Sequence, residues 1–486
     1  MKLFERSAAD LARAVREGKF SVSEVVEAHL SRLERMEPAL SALVTPMREE
    51  ARSRSAALDI ALDRGEKTGP LTGVPVIVKD NFCTRGVRTT CSSRMLEQWV
   101  PPYDASVVRY LEEAGAILIG KANMDEFAMG SSTEHSAFFT TSNPWDPQRV
   151  PGGSSGGSAA ACAAGYAPLT FGSDTGGSIR QPAAFCGVYG FKPTYGMVSR
   201  YGLVPFACSL DQIGPFSRSL EDLLLAMEVV ARPDERDGTC SRRPRPAFLS
   251  ALETESLKGK KIGLVKEFSA YEIDGAIDAT LKDVADLLRS AGAEIVDVSL
   301  PTMKHALACY YIIAPAEASS NLARFDGVRY GLSAQAEGLL ELYFRTRRLG
   351  FGPEVKRRLL TGTYVLSSGY YDAYYNRALK VVSILKDEFE RAFSEVDLLL
   401  TPTTPTLPFR KGENMGDPIK MYMSDLFTLP ANMAGLPALS LNGGYSGGLP
   451  VGVQLMGPRF GEMEIFGAAA VIEKRLGLPR IAGGDL

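Results

Sequence analysis

Apolar residues recur at two different periods along this chain, and the change of period divides it. Over residues 1–66 the spacing is helical. Val25, Val26, Leu30 and Leu33 follow Ser21-x-x-Glu24, and a second Ser-x-x-acid start lies at Ser7-x-x-Asp10. A serine that caps a first turn, with an acidic residue three positions on, predicts a helix start. From about residue 70 short apolar runs alternate with loops and helical stretches. Val74–Val78, Ala116–Ile119, Ile262–Val265, Glu294–Val298, Leu398–Leu400 and Val451–Leu455 read as buried strands, and Ile277–Ser290 as one of the helices between them. That alternation predicts an α/β fold, a large mixed central sheet covered by helices on both faces.

The organisation expected is a single domain over 1–486. Residues 1–66 form a helical N-terminal layer, 67–302 and 394–486 the α/β core. Residues 303–393, rich in Tyr, Arg and Glu, form a helical insertion beside the site. The polar, Pro- and Arg-rich stretch 232–256 is expected as a mobile surface segment, and no repeat or long linker is visible.

Composition narrows the classes. With 486 residues, 45% hydrophobic and 23% charged, the chain can bury a large core. A net charge of −3 gives it no electrostatic grip of its own on nucleic acid or an anionic membrane. No apolar run reaches the ~20 residues of a membrane span, and Met1–Arg6 lacks the apolar stretch of a signal peptide. Seven scattered cysteines without C-x-x-C fit free thiols in a reducing cytoplasm better than disulfides or structural zinc. The three histidines, His29, His135 and His305, lie far apart, which disfavours any mechanism that needs several of them.

Candidate chemistry concentrates in two segments, Pro151-Gly-Gly-Ser154-Ser155-Gly-Gly-Ser158 and Gly172-Ser-Asp-Thr175-Gly176-Gly177-Ser178-Ile-Arg-Gln-Pro182. Glycine-rich loops let backbone approach a ligand and aim several N–H groups at one point, favouring negative charge. Neither segment has the Gly-Lys-Ser/Thr ending of a phosphate loop. The first matches G-x-S-x-G at both Ser154 and Ser155, but its only downstream histidine is His305, without supporting context. Ser383-x-x-Lys386 sits in a helical run without the partner motifs of serine–lysine enzymes. A base other than histidine is therefore needed. Lys79 ends the strand-like run Val74–Val78, where α/β enzymes tend to place active groups. To be neutral at pH 7 a lysine must lose roughly 3–4 pKa units, about 5 kcal/mol, which burial can supply.

Lys79 after a strand and the two Gly/Ser segments, in this order and spacing, resemble the amidase signature family over nearly the whole chain. The resemblance implies a Ser–cis-Ser–Lys triad: Ser178 as acyl nucleophile, Ser154 (after a cis peptide) as bridge, and Lys79 as base. The N–H groups of Thr175, Gly176, Gly177 and Ser178 are suited to an oxyanion hole. Further segments, such as Met124–Ser131, Glu317–Leu322, Gly352–Arg358, Gly369–Tyr375 and Met421–Asp425, are similar to the glutamine-hydrolysing subunits of tRNA-dependent amidotransferases within that family. That likeness implies glutamine as substrate, with Arg358 on its α-carboxylate, Asp425 on its α-ammonium, and Tyr310, or its neighbour Tyr311, as a further contact. It implies no cofactor in this chain. A partner B subunit would use the ammonia on activated glutamyl-tRNA(Gln) with ATP and Mg²⁺ and carry most of the tRNA contact, and a small C subunit would complete a heterotrimer. A free-standing amidase acting on another small amide is the alternative.

Overall fold

The computed structural model describes residues 2–477 and 481–482. Its centre is a sheet of 11 strands: β1 (Leu43–Pro46), β2 (Pro75–Lys79), β3 (Ile117–Ala122), β4 (Leu169–Asp174), β5 (Tyr189–Lys192), β6 (Gln212–Ser217), β7 (Lys261–Val265), β8 (Glu294–Val298), β9 (Leu398–Pro402), β10 (Ala438–Ser446) and β11 (Leu449–Met456). The order is β1-β3-β2-β4-β6-β5-β10-β11-β9-β7-β8. β2 runs parallel to β3 and β4, and β7 to β8 and β9, while the other neighbours are antiparallel. The sheet is thus large and mixed, as expected. Val76, Ile77 and Val78 are buried although they point to opposite faces, because helices cover both.

All six expected strands are present, and five more were not visible in the pattern. β4 and β6 contain Gly172, Ser173, Asp174, Gly214 and Pro215, residues that disfavour strands in isolation. Six cross-strand pairs between them, from Leu169↔Ser217 to Asp174↔Gln212, override that preference. β1 interrupts the stretch 1–66, which is therefore not wholly helical, and pairs with β3 at the sheet edge. The Ser21–Glu24 capping box closes in both directions, at 3.1 and 2.8 Å. Ser7 caps Asp10 N at 3.1 Å without a return bond.

Much of 232–256 lies at the surface, but Phe248 is fully buried and stacks edge-on to Phe466, which anchors the segment to the core. Between β8 and β9 lie the helices Ala306–Asn321, Leu339–Gly350, Pro353–Val365 and Arg377–Glu395. No described helix is long and apolar enough to cross a membrane.

Each Gly/Ser segment opens a short buried helix. The first leads into Gly156–Ala163, and the second leaves β4 and enters Arg180–Cys186. Arg180, fully buried, locks the second in place. Its Nε and one terminal nitrogen fork onto Asp174 at 3.0 and 3.1 Å, and the other reaches Gln454 of β11 at 2.7 Å and the Thr428 carbonyl at 2.9 Å. Burial pushes the Asp174 carboxyl up, but the Arg180 charge and hydrogen bonds outweigh it and hold the group below its ordinary value. Removing one partner of such a pair leaves a buried charge uncompensated. Arg180→Ala is therefore expected to cost about 3–5 kcal/mol, read as a lower midpoint in denaturant unfolding; a midpoint within error of the unaltered chain would contradict this role.

Candidate active site

Lys79 is the last residue of β2 and is completely buried. Its Nζ lies 2.8 Å from Ser154 Oγ, 3.0 Å from Ser173 Oγ and 3.3 Å from the Ser173 carbonyl. Desolvation dominates its titration and lowers its pKa to about 7. Asp125, Asp174 and Asp211 oppose that shift from a distance. Each of the three is engaged elsewhere. Asp174 is held by Arg180. Asp211 accepts from Thr175 Oγ1 at 2.6 Å and from the Phe206 and Ala207 amides. Asp125 accepts from the amides of Ser132, Thr133 and His135. None is a hydrogen-bond partner of Lys79, so the amine meets hydroxyls rather than a carboxylate that would keep it charged.

The Gly153–Ser154 peptide is cis, and the two loops are tied to each other. Ser155 N donates to the Ser178 carbonyl at 3.2 Å, and Gly153 N donates to Gln181 Oε1 at 2.9 Å. Ser154 and Ser178 therefore belong to adjoining loops, although among the described residues no hydrogen bond joins their hydroxyls. Ser178, 7% exposed, is the more open of the two, since Ser154 is fully buried. The N–H groups of Thr175, Gly176, Gly177 and Ser178 have no acceptor among the described residues. Buried backbone donors are ordinarily paired, so this set marks a place for an oxygen that carries negative charge. Glycine is required here. Gly177 has φ +149°, and a Cβ on it would collide with Thr428 Oγ1, while one on Gly176 would lie 2.7 Å from the Tyr310 ring.

Around this loop stand a buried guanidinium, Arg358, and a buried carboxyl, Asp425. Arg358 lies on the helix Pro353–Val365, with Nε 2.7 Å from Glu354 Oε1, one helical turn before it. The guanidinium also sits 5.2 Å from the ring centres of both Tyr311 and Tyr422, which stack on each other at 3.8 Å. Among the described residues only Nε of Arg358 makes a hydrogen bond. Asp425 accepts from Ser131 Oγ at 2.6 Å through Oδ2; its Oδ1 is buried without a partner and points toward Gly177. Burial raises the Asp425 pKa to about 7.

The structure thus brings Lys79, Ser154, Ser178, Thr175, Gly176, Gly177, Tyr310, Arg358 and Asp425 into one region. Tyr310 packs on Gly176, whereas Tyr311 backs Arg358 and leaves its hydroxyl buried and unpartnered. Sequence reasoning missed the groups that hold these: Ser173, Asp125, Gln181, Ser131, Glu354 and Thr428. All but Thr428 lie in the segments that carry the family resemblance, and Glu354 has a further signal, an acid four residues before Arg358 on a helical stretch. Among the described residues no group of three or more His, Cys, Asp or Glu side chains is disposed to hold a metal ion.

A family model described as Amidase matches residues 24–466. The chain is 55% identical to the A subunit of glutamyl-tRNA(Gln) amidotransferase from Moorella thermoacetica, across 98% of this chain and 97% of that one. It is 54% identical to the same-named protein of Carboxydothermus hydrogenoformans, across 98% of each. Among solved structures, the A subunit of the Thermotoga maritima glutamyl-tRNA(Gln) amidotransferase superimposes with a TM-score of 0.82 at 42% identity, covering 98% of this chain and 96% of that one. A bacterial aryl acylamidase of the amidase signature enzymes superimposes with a TM-score of 0.87 at 26% identity, covering 98% and 97%.

A neutral Lys79 can take a proton from serine, and an ammonium cannot. Labelling of Ser178 by a serine-directed phosphonate is therefore expected to rise with pH through about 7 and to be nearly lost in Lys79→Met. A labelling rate that is flat between pH 5 and 9, on the order of the range that brackets this shift, would contradict the assignment.

Proposed function

The chain belongs to the amidase family, and from that premise we propose that it is the glutamine-hydrolysing subunit of a tRNA-dependent amidotransferase. The observation that carries the reading is the pair of buried groups beside the loop of Ser178, the Arg358 guanidinium and the Asp425 carboxyl, which an incoming ammonium would hold ionised. A free α-amino acid presents a carboxylate and an ammonium at one end and, in glutamine, an amide at the other. Arg358 has terminal nitrogens left to fork onto the carboxylate, and Asp425 has one unpartnered oxygen for the ammonium. Few other amides would use both.

The residues divide the reaction as follows. Ser178 Oγ attacks the side-chain amide carbon while its proton passes to Ser154, whose own proton moves to Lys79 Nζ. The carbonyl oxygen gains negative charge and is held by the free N–H groups of Thr175–Ser178. Lys79 returns the proton through Ser154 to the amide nitrogen. The C–N bond breaks, ammonia leaves, and a γ-glutamyl ester remains on Ser178. Water, deprotonated by the same relay, attacks the ester and releases glutamate. Ammonia is then consumed elsewhere in the assembly. Companion B and C subunits complete a heterotrimer, in which the B subunit carries most of the contact with glutamyl-tRNA(Gln) and uses ATP and Mg²⁺. A soluble, cytoplasmic setting fits this role.

The fold similarity to an aryl acylamidase keeps a second reading, a free-standing amidase. Kinetics separate the two. Ser178→Ala is expected to lower glutamine hydrolysis by about 10³-fold or more. Arg358→Ala, which removes a charge-assisted contact made before and during reaction, is expected to raise KM for glutamine by about ten- to a hundredfold with a smaller change in kcat. Unchanged glutamine kinetics in Arg358→Ala, with brisk turnover of an aryl amide, would favour the second reading.

A further inference from the structure

Gln181 lies in the short helix that follows Ser178, and it is fully buried. Its backbone N–H donates to the Gly177 carbonyl at 2.8 Å, which roots it in the loop of Ser178. Both arms of its side-chain amide are used, and on different loops. Oε1 accepts from Gly153 N at 2.9 Å, one residue before Ser154. Nε2 donates to the Ser131 carbonyl at 3.0 Å. A flipped amide would set donor against donor and acceptor against acceptor, so these contacts fix its orientation. A Cβ on Gly152 would lie 2.4 Å from Oε1, so the glycine lets the Ser154 loop close onto this side chain. One residue therefore joins three loops, those of Ser178, Ser154 and Ser131.

The last two loops hold opposite ends of the site. Ser154 Oγ meets Lys79 Nζ at 2.8 Å. Ser131 Oγ donates to Asp425 Oδ2 at 2.6 Å. The loops also touch directly, since Thr133 Oγ1 donates to the Gly152 carbonyl at 2.7 Å and accepts from Gly156 N at 3.1 Å. Those bonds fix the flanks of the Ser154 loop, whereas Gln181 acts on the residue next to Ser154. An ammonium arriving at Asp425 would hold that carboxyl ionised, and a hydroxyl donates more strongly to a carboxylate than to a neutral acid. Ser131 is fixed more firmly as a result. Its carbonyl steadies the Gln181 amide, and the amide steadies the N–H of Gly153.

The geometry points to Gln181 as a positioning residue that sets the relay serine, Ser154, according to whether an ammonium occupies Asp425. This rests on the glutamine reading and adds a source of selectivity to it. An amide that carries an α-ammonium is held at Asp425 and also meets a better-placed relay. A hydrocarbon at position 181 would leave a buried N–H and a buried C=O unpaired, and a carboxylate would set an oxygen against the Ser131 carbonyl.

The test compares glutamine with glutaramate, which is glutamine without its α-amino group. It uses the full-length chain assembled with the two other amidotransferase subunits of the same organism. In the unaltered chain kcat for glutamine is expected to exceed kcat for glutaramate by about tenfold or more, besides any difference in KM. In Gln181→Met, a side chain of similar length, kcat falls for both substrates and the ratio between them falls toward one. A purely structural loss lowers both alike, and an unchanged ratio in the variant overturns the proposal. So does an equal kcat in the unaltered chain with only KM raised for glutaramate. That second result needs no variant to fold, and it leaves ammonium recognition by Asp425 standing. Equal kcat and equal KM for the two substrates would instead overturn the Asp425 reading itself, and the role of Gln181 with it.

Discussion

The structure is organised around an amine that has been taken out of water. Lys79 is fully buried at the end of β2, and the proposed chemistry needs it there without a proton. Burial alone makes the charged form expensive, but a carboxylate in contact would restore the charge. Three aspartates lie near enough to matter, and each is bound by something else: Asp174 by Arg180, Asp211 by Thr175 and two amides, Asp125 by three amides. What Lys79 meets instead are the hydroxyls of Ser154 and Ser173. Two other buried lysines show the difference. Lys121 lies 3.7 Å from Asp80, and Lys192, though also lowered to about 7, spends its contacts on the carbonyls of Pro193 and Leu436. Neither hydrogen-bonds to a candidate nucleophile or to its bridging serine.

The same aspartates then shape the rest of the site, so Lys79 and the loop of Ser178 are positioned by one network. Asp174, held by Arg180, fixes the point where β4 gives way to Thr175–Ser178, and Arg180 extends that anchor to Gln454 in β11. Asp211 ties down Thr175, and Thr428 accepts no Cβ at Gly177 while donating to the Gly176 carbonyl at 2.6 Å. The Gly176, Gly177 and Ser178 carbonyls are engaged, while the N–H groups of the loop have no acceptor among the described residues. On the substrate side the logic repeats. Glu354 takes one edge of Arg358 and Ser131 takes one oxygen of Asp425, and in each case the remaining edge stays available.

The periodicity of the chain carried the α/β class and the strands built of Val, Ile and Leu, since those residues pack alike in any buried strand. It did not carry β4 and β6, because Gly172, Ser173, Asp174 and Pro215 are strand residues only by virtue of the neighbours that pair with them. The chemistry was readable in part for a similar reason. Histidine scarcity and a lysine at a strand end are local facts, but whether that lysine is dry depends on helices far away in sequence. Which serine attacks came from family likeness, as did Arg358 and Asp425. Ser131, Ser173 and Gln181 lie inside the segments that carry that likeness, but their supporting roles, like that of Thr428, show only through contacts across the fold.

Everything in this site turns on Lys79 losing its proton near neutral pH rather than in the range of an ordinary lysine. Nuclear magnetic resonance of the full-length chain carrying ¹³Cε-labelled lysine, with the Lys79 signal identified by its absence in Lys79→Met, measures this directly. The account predicts that this resonance titrates with a midpoint near 7. A Lys79 signal that stays in the charged form up to about pH 10, the range of an ordinary lysine, would contradict it.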